Sequence, residues 1–176
     1  PRPRSKDRPS HAAAGSALVT TVERGRTTGI TDEGTIVVAM KSRELGPKSV
    51  VVGDRVGIVG DTTGAVGSLA RIVTVQARKN SLSRTVDDAA KVERIIVANI
   101  YQLVIVVAAA NPEPRRGLID RFLVSAFDQS ITPIILVTKI DMAQPPFFRA
   151  YYRNINLQVI HTKKASYLSP LEKLLL

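Results

Sequence analysis

Four consecutive residues, Thr138-Lys139-Ile140-Asp141, have the types and order needed to read one purine base. Guanine presents two adjacent donors, N1–H and the exocyclic amine, and a fixed carboxylate accepts from both; adenine offers no such pair. Asp141 would read the guanine edge, the aliphatic stem of Lys139 would lie along the ring plane, and Thr138 would hydrogen-bond to neighbouring loops. The competing reading is a solvated strand-to-helix loop that carries these residues by chance. Position favours the chemistry. The residues just before it, Pro133 to Val137, form an apolar run of the kind that is buried on both faces of a sheet. In α/β sheets, ligands bind just beyond the carboxyl ends of such strands.

A nucleotide site also needs a cradle for phosphates, ordinarily Gly-x-x-x-x-Gly-Lys-[Ser/Thr], whose backbone amides and lysine hold them. No such segment precedes Thr138. Lys41-Ser42 follows Met40 and Lys48-Ser49 follows Pro47, so both lack the glycine that lets backbone approach phosphate. Either the tetrapeptide is a coincidence or the phosphate loop comes later in the gene than the base-reading loop.

The elements that must position these residues fall into two groups. From Ala17 to about Thr85 the chain is a series of short β-rich runs broken by Gly, Asp and Thr. Strands are expected at 17–24, 27–30, 35–40, 54–59 and 69–76, with a helical turn around Ser42 to Leu45. Five short strands with such turns suggest a small closed barrel, with the OB-fold as the leading candidate. Residues 81–94 are polar and charged, with Thr85, Asp87 and Asp88 as helix-start residues, and read as a linker. Beyond it, Leu103 to Ala109 reads as a buried strand. Leu118, Ile119, Phe122, Leu123, Ala126 and Phe127 mark one face of a helix. The strand from Pro133 follows, then Phe147, Phe148, Tyr151 and Tyr152 on a second helix, where packing explains the aromatics better than base stacking. A third strand at 157–160 leads to His161, and a last helix starts at Ser169-Pro170-Leu171-Glu172. Strand and helix alternate throughout, so the sheet should be parallel.

Composition narrows the function. The 176 residues carry 25 Lys and Arg against 15 Asp and Glu, a net charge of +10 that points to a polyanionic partner, most simply nucleic acid. Residues 1–84 hold 14 basic and 7 acidic side chains and residues 85–176 hold 11 and 8, so the first half is the better nucleic-acid surface. Residues 1–16 read as a mobile basic arm carrying Arg2, Arg4, Lys6 and Arg8. Residues 1 to 100 contain no Phe, Tyr or Trp, so stacking on aromatic rings is excluded from the barrel. Phosphate and shape contacts to structured RNA remain, through Arg24, Arg26, Lys41, Arg43, Arg78 and Lys79. The absence of Cys excludes disulfides, thiolate metal sites and a thiol nucleophile, and fits the cytoplasm. The longest purely apolar run, Leu103 to Ala110, is far short of the ~20 residues that span a bilayer, so no membrane partner is expected.

Four segments in order, Val51-Val52-Gly53-Asp54-Arg55-Val56, Ile96 to Val106, Gly117-Leu118-Ile119-Asp120-Arg121-Phe122-Leu123 and Thr138-Lys139-Ile140-Asp141, resemble the circularly permuted, ribosome-small-subunit-dependent GTPases of the RsgA family. The resemblance covers nearly everything from about residue 17 onward. It implies a β plus α/β chain: an OB-like RNA-binding barrel at 17–80, then, from residue 95, the first part of a permuted P-loop GTPase domain with a parallel sheet. In the family a segment after the third strand offers backbone amides to guanine O6, and the matching stretch here is His161-Thr162. The P-loop, the switches with their Mg²⁺ ligand and a structural Zn²⁺ domain would follow Leu176. None of their residues belongs to this chain, which is therefore expected to hold no catalytic group and to be inactive alone. The implied protein is a monomeric, cytoplasmic enzyme of late small-subunit maturation that binds rRNA, GTP and GDP and times its release by GTP hydrolysis. The alternative is a non-catalytic RNA-binding adaptor with a degenerate nucleotide fold.

Overall fold

Between Gly15 and Val75, aliphatic residues alternate with Thr, Gly and charged residues, and the chain forms five strands: β1 Gly15–Glu23, β2 Arg26–Thr31, β3 Ile36–Lys41, β4 Arg55–Gly60 and β5 Ala70–Val75. The computed structural model describes residues 13–46, 50–87, 92–143, 151–155, 157–163 and 169–175; the arm with Arg2, Arg4, Lys6 and Arg8, the Lys48-Ser49 pair, and Phe147 and Phe148 lie outside them. The chain divides into two compact units, Pro1–Asn99 and Ile100–Leu176.

In the first unit the strands close into a barrel of order β1-β2-β3-β5-β4, with β4 pairing back onto β1 and β3 running parallel to β5. Period-two alternation sends Ala17 and Val19, Val37 and Ala39, Val56 and Ile58, and Ala70 and Ile72 into one core. The interior of so small a barrel is narrow, which suits Ala, Val and Ile and explains how it closes without a ring. Each fully buried Val or Ile contributes roughly 1.5–3 kcal/mol. A 3-10 turn at Arg43–Leu45 follows β3 as expected.

Residues 81–94, read from sequence as a linker, instead hold β6 Ser81–Asp87 and the start of β7 Val92–Ala98, paired antiparallel. Polarity misled the reading: an exposed hairpin needs only one apolar face, and among the described residues Leu82 and Ala98 are buried in it.

The second unit is a three-stranded parallel sheet of order β10-β9-β8, with β8 Gln102–Ala108, β9 Thr132–Thr138 and β10 Gln158–His161. Pro133 to Val137 is buried throughout, as its unbroken apolar run requires. Helix α1, Arg116–Asp128, packs Ile119 and Leu123 with Ile105, Ile135 and Val137, and also buries Ala126. Leu118, Phe122 and Phe127, expected on the same face, flank this stripe and stay exposed. Tyr152 is a core residue; its hydroxyl donates to Asp120 of α1 (2.9 Å), and Tyr151 meets it edge-on at 4.9 Å between ring centroids. Helix α2, Ser169–Leu175, begins where its sequence signal places it.

Candidate functional site

Parallel pairing brings three strand ends to one edge: Ala108 lies opposite Thr138, and Val137 opposite His161. The tetrapeptide therefore leaves the middle strand between the ends of its two neighbours. Thr138 Oγ1 donates to the Val107 carbonyl (3.2 Å), and the Ala109 amide donates to the Thr138 carbonyl (2.8 Å), so the end of β9 is tied to the end of β8. Lys139 has a left-handed backbone (φ 57°), and the Met142 amide closes a turn onto its carbonyl (3.0 Å). On the other side the Ile140 amide donates to the Thr162 carbonyl (3.4 Å). Thr138, Lys139, Ile140, Asp141, His161 and Thr162 are thus brought to one edge, with the Asp141 side chain exposed to solvent. A carboxylate on a turn that its neighbours hold in place can meet two adjacent donors without first being ordered.

One expectation needs correction. His161 is the last residue of β10 rather than part of the following loop, and the Thr162 amide donates to the Val137 carbonyl (2.8 Å). The strand runs one residue further than its apolar residues suggested, and the sheet takes the N–H that was expected to face a base.

The basic residues of the barrel divide by role. Arg24, Arg26, Lys41, Arg43 and Lys79 are exposed. Arg26 borders a groove of about 350 Å³ with Ile36, Val38 and the loop at 64–69. Lys41 and Arg43 line a second cleft, of about 700 Å³, together with Arg71. Arg71 was missed in the sequence; its signal is its place in β5 beside Ala70 and Ile72, which point inward. The Lys41 ammonium also donates to the Gly46 carbonyl (2.9 Å).

Arg78, expected among the RNA contacts, serves the interior instead. Its Nε and Nη2 donate to the two oxygens of Asp54 (2.7 and 2.9 Å), and the fully buried Asp54 also accepts from the Val51 amide (2.8 Å). The bond to Asp54 raises the pKa of Arg78 further above its usual value, against a smaller opposing effect of burial. The same corner explains Val51-Val52-Gly53-Asp54. Gly53 has φ 85°, and a Cβ there would stand 2.0 Å from the Ala98 carbonyl oxygen, so only glycine lets β7 approach. Asn99 locks the contact: its Nδ2 donates to the Gly53 carbonyl (2.8 Å) and its Oδ1 accepts from the Lys79 amide (2.9 Å).

Among the described residues no group of three or more His, Asp or Glu is placed to hold a metal ion. No helix among them is long and apolar enough to cross a membrane.

A family model described as RsgA GTPase matches residues 75–175. The chain is 35% identical over 81 residues to the small ribosomal subunit biogenesis GTPase RsgA of Gemmatimonas aurantiaca, covering 46% of this chain and 26% of that protein. It is 36% identical over 94 residues to the protein of the same name from Borreliella burgdorferi, covering 52% and 30%. These matches span less than a third of the length of those relatives. Two solved structures share the fold at 22% identity: YjeQ from Thermotoga maritima, with a TM-score of 0.67, and YloQ, described as a circularly permuted GTPase, with 0.65. Each covers 92% of this chain, which covers 56% of each of them.

Proposed function

The chain belongs to the RsgA GTPase family, and from that premise we propose that it is the RNA-binding and base-reading part of a GTPase acting in biogenesis of the small ribosomal subunit. The observation that carries this reading is the turn Thr138 to Asp141, held at the carboxyl edge of a parallel sheet by bonds to both neighbouring strand ends. Asp141 accepts from guanine N1–H and the exocyclic amine. Lys139 lays its stem along the base, and Thr138 keeps the turn in register with β8. His161 and Thr162 form the flank of the base site. GTP and GDP are the nucleotides; phosphate and Mg²⁺ chemistry, and any structural Zn²⁺, are contributed by residues outside this chain.

The barrel and the basic residues Arg2, Arg4, Lys6 and Arg8 that precede β1 take the rRNA side of the task. Arg24, Arg26, Lys41, Arg43 and Lys79, joined by Arg71, supply phosphate contacts, and hydrolysis times release from the subunit. The protein works as a cytoplasmic monomer. Because positioning and metal-assisted charge stabilisation provide nearly all catalysis in phosphoryl transfer, the 176 residues alone bind weakly and do not turn over GTP.

The test is base choice in the full-length protein. An amide at 141 donates to the oxygen that replaces the exocyclic amine in xanthine, so Asp141→Asn weakens GTP binding and favours xanthosine triphosphate. Unchanged GTP affinity in competitive titrations would remove Asp141 from the site.

A further inference from the structure

Two non-glycine residues with left-handed backbone meet at the site edge: Asn111 (φ 45°), in the loop between β8 and α1, and Lys139 (φ 57°). The Lys139 ammonium donates to the Asn111 carbonyl oxygen. Behind this contact the Ala109 amide donates to the Thr138 carbonyl (2.8 Å) and Thr138 Oγ1 donates to the Val107 carbonyl of β8 (3.2 Å), so the strand ends from which the loop and the turn depart are tied together.

We propose that Asn111 is a positioning residue for nucleotide binding: its left-handed backbone presents a carbonyl that anchors the Lys139 ammonium and so holds the lysine stem where the plane of the base will lie. This inference rests on the guanine reading above. A lysine stem free in solvent has many rotamers, and a ligand that stacks on it must order it first. An ammonium already tethered leaves little to order. The tether is a main-chain oxygen, so residue 111 acts through its backbone conformation, which Asn and Gly adopt readily and β-branched residues do not. Its effect falls on the plane of the base and not on the edge read by Asp141. It should therefore strengthen binding without choosing between bases.

The experiment is titration of the full-length protein with fluorescent GDP and with the xanthosine counterpart, each variant being checked by thermal melting. Asn111→Val is expected to weaken GDP about ten-fold, the scale of ordering one long side chain, while Asn111→Gly stays within about two-fold of the parent. In a Lys139→Ala background, Asn111→Val should cost nothing further, because its effect passes through the lysine. In an Asp141→Asn background, it should weaken the xanthosine nucleotide by the same factor. If Asn111→Val melts early, Asn111→Ala replaces it with a smaller loss in the same cycle. Additive losses with Lys139→Ala, or a Gly variant as weak as the Val variant, overturn the proposal. Failure of Asp141→Asn to change base preference is a separate result, and it overturns the guanine reading itself.

Discussion

Asp54 shows how much one side chain can do away from the candidate site. Fully buried, it accepts from Nε and Nη2 of Arg78 and from the Val51 amide, and the next residue back, Gly53, is the one that β7 crowds most closely. Removing the carboxylate leaves a guanidinium and an amide without their acceptor. Asp54→Ala is predicted to lower the stability of the barrel unit by about 3 kcal/mol, and Asp54→Asn by less because one oxygen remains. Urea denaturation followed by far-UV circular dichroism checks both; an unchanged midpoint for Asp54→Ala would mean that the pair is incidental. This pair was not legible in the sequence. Arg78 looks like any exposed arginine until a partner 24 residues away is brought against it. The strand end that carries Lys139 and Asp141 was legible because an unbroken apolar run, Pro133 to Val137, leads directly into it.

At the level of elements, what the sequence revealed depended on the strength of its period. The five barrel strands lie within two residues of their expected limits, since Ala17/Val19, Val37/Ala39 and Ile58 alternate cleanly between turn residues. The β6–β7 hairpin was missed because its charged residues, Arg84, Asp87, Glu93 and Arg94, are interspersed with its apolar ones and cluster around the turn. Arg84 and Arg94, which stand directly opposite each other, read as solvent rather than as strand. The limit of β10 was misjudged by one residue, enough to give the Thr162 amide to the sheet. The link between α1 and the turn at Tyr152 is also a tertiary fact, and it carries a pH signature. Burial first, and then the Asp120 carboxylate, raise the Tyr152 pKa well above its ordinary 10.0. Folding therefore favours the protonated phenol. This stabilisation is complete below about pH 10 and is lost progressively as pH rises above it. Denaturant midpoints of the second unit should fall on that alkaline limb, and Tyr152→Phe should flatten the fall. An equally steep fall in the Phe variant would assign it to other groups.

For the whole molecule, the uneven charge makes the proposed RNA surface a measurable quantity. A barrel without aromatic rings must bind chiefly by neutralising phosphates, so affinity for small subunits should fall by roughly 0.7–0.9 log units per log unit of salt for each phosphate contacted. Arg24→Ala with Arg26→Ala should remove about two contacts from that slope and leave guanine nucleotide affinity unchanged. Co-sedimentation with subunits across a salt series provides the slope, and salt-independent binding would place the RNA surface elsewhere.

The distribution of rings has one more consequence, for light rather than for binding. With no Trp in the chain and Tyr101, Tyr151, Tyr152 and Tyr167 all in the second unit, the barrel neither absorbs appreciably in the aromatic band nor emits. Intrinsic fluorescence of this protein is therefore a private signal of residues 100–176. Within that unit, the Tyr152 hydroxyl donates to the Asp120 carboxylate, and a carboxylate so placed is expected to quench the folded ring. Melting of the second unit alone should brighten the sample, melting of the barrel should leave it dark, and a single tryptophan placed in the barrel would report on that half without interference.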